Sequence, residues 1–306
     1  MPEVSVIIPT YNRAHTLGAS LASVLAEGES PARIDLEVIV VDDGSTDGTA
    51  AMLAARNDPR VRVLVRPHAG IAAARNAGVA AARAPFVAFH DSDDLALPGR
   101  LGVPLGFLRE HPDVDLVIQN GRLLPPEDEP GAPEEAWIRP AVARALQGRT
   151  IGMAEVFRWN LGQLQGMCFT SRSLEATAFD SALQILDDLD LVLRVTLRFR
   201  AVFLDVPAFA YRRHPAGVAR DRQKVREEAI RLAEKLVHLH PEALDLVGRK
   251  TFARRQARRY VRLARTRLRA GDAPGACEAL GRASALRPAN LRYRLELLWL
   301  ALRGRE

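Results

Sequence analysis

Three carboxylates within four positions, Asp91, Asp93 and Asp94, follow His90 and the apolar run Phe86-Val87-Ala88-Phe89. A short β-rich apolar segment that ends abruptly in acids reads as a buried parallel strand emptying into a site. Open α/β sheets bind ligands at the carboxyl ends of their strands. Carboxylates gathered at that edge are costly unless something positive sits among them. A divalent cation holding a diphosphate fits, because Mg²⁺ and Mn²⁺ favour oxygen and often use one or two carboxylates plus phosphate oxygens. Taken alone, the segment would serve equally well as a solvated acidic turn capping the next helix. The rest of the chain decides between the two.

The elements that must position these acids follow from hydrophobic pattern. Residues 4–8 form a strand suited to burial on both faces. Pro9 is expected to end it, with Thr10-Tyr11-Asn12-Arg13 as the loop at its carboxyl end. Leu17, Leu21, Val24 and Leu25 recur at helical spacing. Residues 37–41 form a second buried strand, and Asp42-Asp43-Gly44-Ser45-Thr46-Asp47 turns out of it into a helix expected near Thr46. A third strand covers 61–65, an Ala-rich helix with Arg75 and Asn76 covers 70–83, and a fourth strand covers 86–90. This alternation is the βαβ pattern of a mostly parallel sheet, so the fold class is α/β. In such a sheet Thr10/Tyr11, Asp42/Asp43 and Asp91/Asp93/Asp94 share one edge and can converge on one ligand. Neither Gly-x-Gly-x-x-Gly nor Gly-x-x-x-x-Gly-Lys-Ser/Thr follows the first strand, which argues against a nicotinamide dehydrogenase and a P-loop ATPase.

Beyond the acidic loop a helix is expected from 97 to 109 and a strand over 114–119. Residues 125–133 are a proline-rich surface excursion. Residues 147–157 are expected to lead into a helix, and 166–170 could be a strand lining the pocket. Asp187 and Asp188 precede the stripe Leu189, Val192, Leu193 and Leu197; acids in a first helical turn also simply suit the positive helix end. A late strand covers 201–206, and Tyr211 to Pro215 is expected to turn.

The totals are those of a globular protein, with 48% hydrophobic and 26% charged residues among 306. The net charge of +6 hides a split. Residues 1–211 hold 19 basic and 27 acidic side chains, a net of −8, which suits a cation site. Residues 212–306 hold 24 and 10, a net of +14. Between 249 and 269 there are ten Lys and Arg and no acid, with Phe252, Gln256, Tyr260, Leu263/Ala264 and Leu268 tracing a rough stripe. That helix suits peripheral contact with an anionic membrane, or arginines on the outside of an ordinary helical pair. Aromatic interleaving is too thin for nucleic acid. Two cysteines, no basic signal-like start and no run long enough to span a bilayer lead us to expect a cytoplasmic protein, soluble or peripheral at the inner face of the membrane.

Four segments in order, Val4 to Arg13, Val40 to Asp47, Ala74-Arg75-Asn76-Ala77-Gly78 and Asp91-Ser92-Asp93-Asp94, resemble the family 2 inverting glycosyltransferases. The resemblance covers about residues 3–215. It implies a GT-A type nucleotide-binding sandwich over residues 1–218. Residues 219–306 lie outside it and read from their own pattern as an all-helical, basic, partly tetratricopeptide-like appendage. The resemblance also implies roles. Pro9, Thr10 and Tyr11 would lie against base and ribose, Asp43 would accept a hydrogen bond from the base, Arg75 would face base or diphosphate, and Asp91 the ribose or metal shell. Asp93 would bind Mn²⁺ or Mg²⁺, with His214 helping at the metal or diphosphate. Asp188 matches the catalytic base, preceded by Asp187 where the family usually has Glu.

The implied activity is metal-dependent transfer of one sugar, with inversion, from a nucleotide-diphosphate sugar to a glycan, lipid-linked or protein acceptor. A UDP-sugar is the first expectation, because an acceptor-only carboxylate at Asp43 suits uracil. Neither spanning helices nor a Gln-x-x-Arg-Trp motif is present, so the transfer should be non-processive, as in cell-surface glycan or polysaccharide synthesis. The alternatives are a nucleotidyltransferase on a similar sheet, whose Gly-rich basic loop is missing from residues 10–16, and a non-catalytic nucleotide-binding adaptor.

Overall fold

The computed structural model describes residues 1–29, 33–125, 133–212, 221–293 and 295–296. The chain divides into two compact units, Met1–Pro215 and Ala216–Glu306.

The first unit is built on a ten-stranded mixed sheet. Its strands are β1 (Val4–Thr10), β2 (Leu36–Asp42), β3 (Val61–Val65), β4 (Phe86–Phe89), β5 (Leu95–Ala96), β6 (Leu116–Leu123), β7 (Glu135–Ala136), β8 (Thr150–Ile151), β9 (Met167–Thr170) and β10 (Ala201–Tyr211). The order is β3-β2-β1-β4-β9-β6-β10-β5, with β7 on β6 and β8 on β10. β3, β2, β1 and β4 are parallel neighbours, β6 and β10 are parallel, and β9 runs antiparallel between β4 and β6. Every residue of β1 and β2 is buried, as continuous apolar runs in a two-sided parallel sheet require.

Several boundaries differ from the sequence reading. Pro9 does not end β1: it pairs in register with Val41, and Thr10 with Asp42. The Ile7 carbonyl accepts from the His90 N–H on the β4 side, and the Thr10 carbonyl from the Asp43 N–H on the β2 side. Alternation therefore points the missing N–H of Pro9 toward β4, which ends at Phe89, so no ladder bond is lost. β10 continues past the expected end at 206 to Tyr211, most of the turn expected over 211–215 lies outside the described residues, and the helix expected from 97 begins at Gly102, after the short β5. The helix expected near Thr46 begins at Thr49, where the Asp47 carboxylate accepts from the Thr49 N–H at 2.9 Å. Most of the 125–133 excursion lies outside the described residues.

The helix Ile71–Ala81 shows how one turn serves three neighbours. Gly78 faces Ile7 of β1 so closely that a Cβ there would lie 2.4 Å from its Cγ2. Arg75 is buried and points to the acidic loop. Asn76 clamps the backbone of Phe179, donating to its carbonyl at 3.0 Å and accepting from its N–H at 2.9 Å. The Phe179 ring in turn packs edge-on against Phe89 and lies 5.7 Å from the Arg75 guanidinium.

The second unit contains the helices Arg222–Leu239, Ala243–Val247, Arg249–Arg269 and Ala273–Leu286. Ala257, Val261 and Ala264 of the basic helix pack with Ile230, Ala276, Leu280 and Ala283. Tyr260, Leu263 and Ala264 of the expected stripe thus join a helical core while Leu268 stays exposed, and Arg267 pairs with Glu227 at 3.0 Å. No described helix is long and apolar enough to cross a membrane.

Candidate active site

The acids of the 90–94 loop meet partners from three other segments. Arg75 donates to Asp91 Oδ1 at 3.1 Å and to Asp187 Oδ2 at 2.7 Å. Gln165, in the short turn Leu164–Gly166 before β9, donates to Asp91 and to Asp94. The backbone N–H of Arg212 donates to Asp94 Oδ1 at 3.1 Å, and Arg13 Nε pairs with Asp93 at 3.3 Å. Burial alone would weaken the charge of Arg75, but Asp187, Asp91 and Asp188 outweigh it and hold the guanidinium firmly protonated. Burial raises the Asp91 carboxyl despite Arg75, and burial with Asp91 and Asp93 close by raises Asp94 well above the ordinary value. Burial and mutual repulsion thus favour the protonated forms of Asp91 and Asp94.

Asp187 and Asp188 open the helix Asp187–Arg198. Asp187 is buried and tied to Arg75. Asp188 is only half-buried, and its Oδ1 accepts from the Leu189 N–H at 2.6 Å. Burial and the adjacent Asp187 carboxylate push its carboxyl up to about 8. Two neighbouring acids thus have different situations, one paired with a guanidinium and one raised by burial and its neighbour's charge.

On the β1–β2 side, Pro9 and Thr10 are buried and Tyr11 is 40% exposed. The Tyr11 ring stacks on His68 with centroids 4.2 Å apart. The buried Asp43 carboxylate accepts from the N–H groups of Ala69 (3.1 Å) and Gly70 (2.8 Å), and its Oδ2 lies 2.9 Å from His68 Nδ1. Asp43 therefore holds the 66–70 loop against the sheet edge, and one lone pair remains on Oδ1 for a further donor. Gly44, at φ +79°, permits the approach, since a Cβ would lie 2.9 Å from the His68 nitrogen.

Residues 5–174 match the family described as Glycosyl transferase family 2. The chain belongs to that family. The "Putative glycosyltransferase EpsE" of Bacillus subtilis (strain 168) is 30% identical over 186 residues, covering 52% of this chain and 66% of EpsE. The UDP-Glc:alpha-D-GlcNAc-diphosphoundecaprenol beta-1,3-glucosyltransferase WfgD of Escherichia coli is 36% identical over 106 residues, covering 34% of this chain and 40% of WfgD. The match spans less than two thirds of the length of either relative. Among solved structures, S. aureus TarS 1-349 in complex with UDP-GlcNAc superposes with a TM-score of 0.71 at 21% identity, over 97% of this chain and 89% of that one. The mannosyltransferase PcManGT from Pyrobaculum calidifontis, in complex with GDP-Man and Mn2+, gives 0.61 at 20% identity, over 98% and 84%. The sheet and its flanking helices are of the GT-A type.

Within this family member, Thr10, Tyr11, Asp43, Asp91 and Asp93 stand at or just past the carboxyl ends of β1, β2 and β4, Arg75 lies on the helix Ile71–Ala81 and Asp188 in the first turn of the helix Asp187–Arg198, while His214 lies outside the described residues. Among the described residues no three His, Cys, Asp or Glu side chains converge into an all-protein metal cage. The clustered carboxylates of the 91–94 loop, with oxygen donors only, fit a hard divalent cation whose remaining ligands come from phosphate and water. Three participants escaped the sequence reading. His68 is signalled only by following a strand, and Gln165 and Arg13 reach the acids across 71 to 80 residues of chain.

Proposed function

We propose that the protein is a metal-dependent, inverting glycosyltransferase that moves one sugar from a nucleotide-diphosphate sugar to an acceptor hydroxyl. The observation that carries this is the half-buried Asp188 beside the ion-paired Asp187, coupled through Arg75 to the acidic loop. Asp188 takes the proton of the acceptor hydroxyl as its oxygen attacks the anomeric carbon and the nucleoside diphosphate leaves from the opposite face. Asp187, charge-paired with Arg75, keeps that helix end in place. Tyr11 and His68 offer the base a stacking face, and Asp43 an acceptor. Asp93, with Asp91, would hold Mn²⁺ or Mg²⁺, which when bound neutralises charge on the leaving diphosphate. An acid-lined edge takes a dianionic diphosphate only with such a cation. The UDP-sugar in the name of WfgD and the UDP-GlcNAc in the TarS complex support uridine as the first donor to test. The WfgD name and the naming of another relative, ExoU of Rhizobium meliloti, for succinoglycan biosynthesis support polysaccharide synthesis on a glycan or lipid-linked acceptor. This reading gives the chemistry to residues 1–218 and leaves 219–306 as a helical appendage. Contact of that appendage with an anionic membrane surface would run through arginines of 249–269.

Calorimetric titration of the full chain with UDP, GDP and TDP, each with and without Mn²⁺, tests the reading. Metal-dependent binding of one nucleotide is expected. No binding of any nucleotide in either condition would sink it.

A further inference from the structure

A cleft of about 410 Å³ opens in the first unit, within the size range of small-ligand sites. Its walls carry the rings of Trp137, Trp159 and Tyr211 and the polar side chains Arg139, Asn160 and Gln163. Trp137 is braced, edge-on to Tyr211 at 5.1 Å between centroids and tilted on Phe209 at 5.9 Å. Trp159 ends the helix Met153–Trp159 and is 40% exposed, with Asn160 in the left-handed region (φ 59°) turning the chain away. An indole left open to water at a helix end contributes little to folding and offers a large flat apolar face.

The cleft is continuous in chain with the acidic loop's anchors. Gln163 stands two residues before Gln165, which donates to Asp91 and Asp94. Tyr211 immediately precedes Arg212, whose N–H donates to Asp94. The segments that form two of its walls are therefore the segments that hold the acids in place.

We propose that this cleft is the acceptor subsite and that it takes a pyranose ring of a glycan. This rests on the glycosyltransferase reading above. A pyranose presents C–H faces that suit aromatic rings and a rim of hydroxyls that need paired donors and acceptors. Asn160 and Gln163 supply both, and Arg139 supplies planar donors. A polyproline segment also packs on aromatic rings, but three polar side chains around one cleft exceed what its sparse hydrogen-bonding groups can use.

The test uses the full chain with Trp299→Phe. The chain has three tryptophans, so emission then comes from Trp137 and Trp159 alone. Cellotriose, maltotriose and chitotriose are titrated against that emission, with Mn²⁺-dependent nucleotide binding followed by calorimetry in parallel. We expect a saturable change with at least one trisaccharide. Trp159→Ala should weaken it tenfold or more and Trp159→Phe should restore most of it, with nucleotide affinity unchanged in both. No saturable change with any of the three, an equal affinity in Trp159→Ala, or a response to an oligoproline peptide in place of the saccharides would overturn the proposal. Saccharide binding in a protein that binds no nucleotide would overturn the donor reading and the acceptor role with it.

Discussion

Arg75 and Asp187 lie 112 residues apart in the chain and meet in a buried ion pair at 2.7 Å. The same guanidinium reaches Asp91, so one side chain joins the acidic loop to the helix that carries Asp188. A buried pair such as this gains little over apolar packing, but losing one partner leaves the other charged and unpaired. Arg75→Met should therefore cost about 3–5 kcal/mol of stability. Urea unfolding followed by circular dichroism measures it. A loss below about 1 kcal/mol would mean that Asp187 finds water or another cation, and that Arg75 does not organise the site.

Asp188 gives a prediction with a sign in two directions. A carboxyl raised to about 8 is mostly protonated at neutral pH in the free enzyme. The base must be unprotonated to work, so kcat/KM should climb with pH, pass half its maximum near 8 and level off above that. Its folded-state value lies above the unfolded one, so the native state binds the extra proton. Stability should fall as pH rises from about 4 to 8. Asp188→Asn should flatten that decline, stabilise the protein at pH 8, keep nucleotide binding and cut transfer about 10²–10⁴-fold. Loss of nucleotide binding in this variant would remove Asp188 from the role of base.

Much of this was legible in the chain because it is local. β1, β2 and β4 are short apolar runs, and Thr10, Asp43 and Asp91 each stand at or just past a strand end. The rest depends on pairings that no window of sequence contains. β9 enters the sheet between β4 and β6 although more than 40 residues separate it from either in sequence. Gln165 stands in a three-residue turn with no periodicity, and its meaning comes only from the two acids that it bridges. Pro9 misleads for a physical reason: it breaks a strand only where its missing donor would have had a partner.

Tyr11 tests the nucleotide end of the site. Its ring lies 4.2 Å from His68, an exposed pair beside the Asp43 carboxylate. Base stacking on an aromatic side chain contributes about 1–3 kcal/mol. Tyr11→Ala should weaken nucleotide binding roughly 5- to 150-fold, while Tyr11→Phe keeps most of it. Calorimetry with the nucleotide that binds the parent protein measures this. Equal affinity in Tyr11→Ala would place the base elsewhere.

Gly78 tests the packing that sets the whole arrangement. Alanine is the better helix former by about 1 kcal/mol, so propensity alone predicts that Gly78→Ala stabilises. The added Cβ would lie 2.4 Å from Ile7 Cγ2, and Ile7 is fully buried in a central strand with no room to turn aside. Overpacking of this kind costs about 1–3 kcal/mol, and the interior is too dense to absorb it locally. The helix Ile71–Ala81 would be pushed off β1, moving Arg75 and Asn76 together. The expected result is a lower melting temperature and a weaker hold of Arg75 on Asp91, read as reduced metal-dependent nucleotide binding. Combining it with Ile7→Ala, which clears the contact, should recover nucleotide binding even though the double variant stays less stable than the parent. A single variant as stable as the parent would show that the helix has slack against β1.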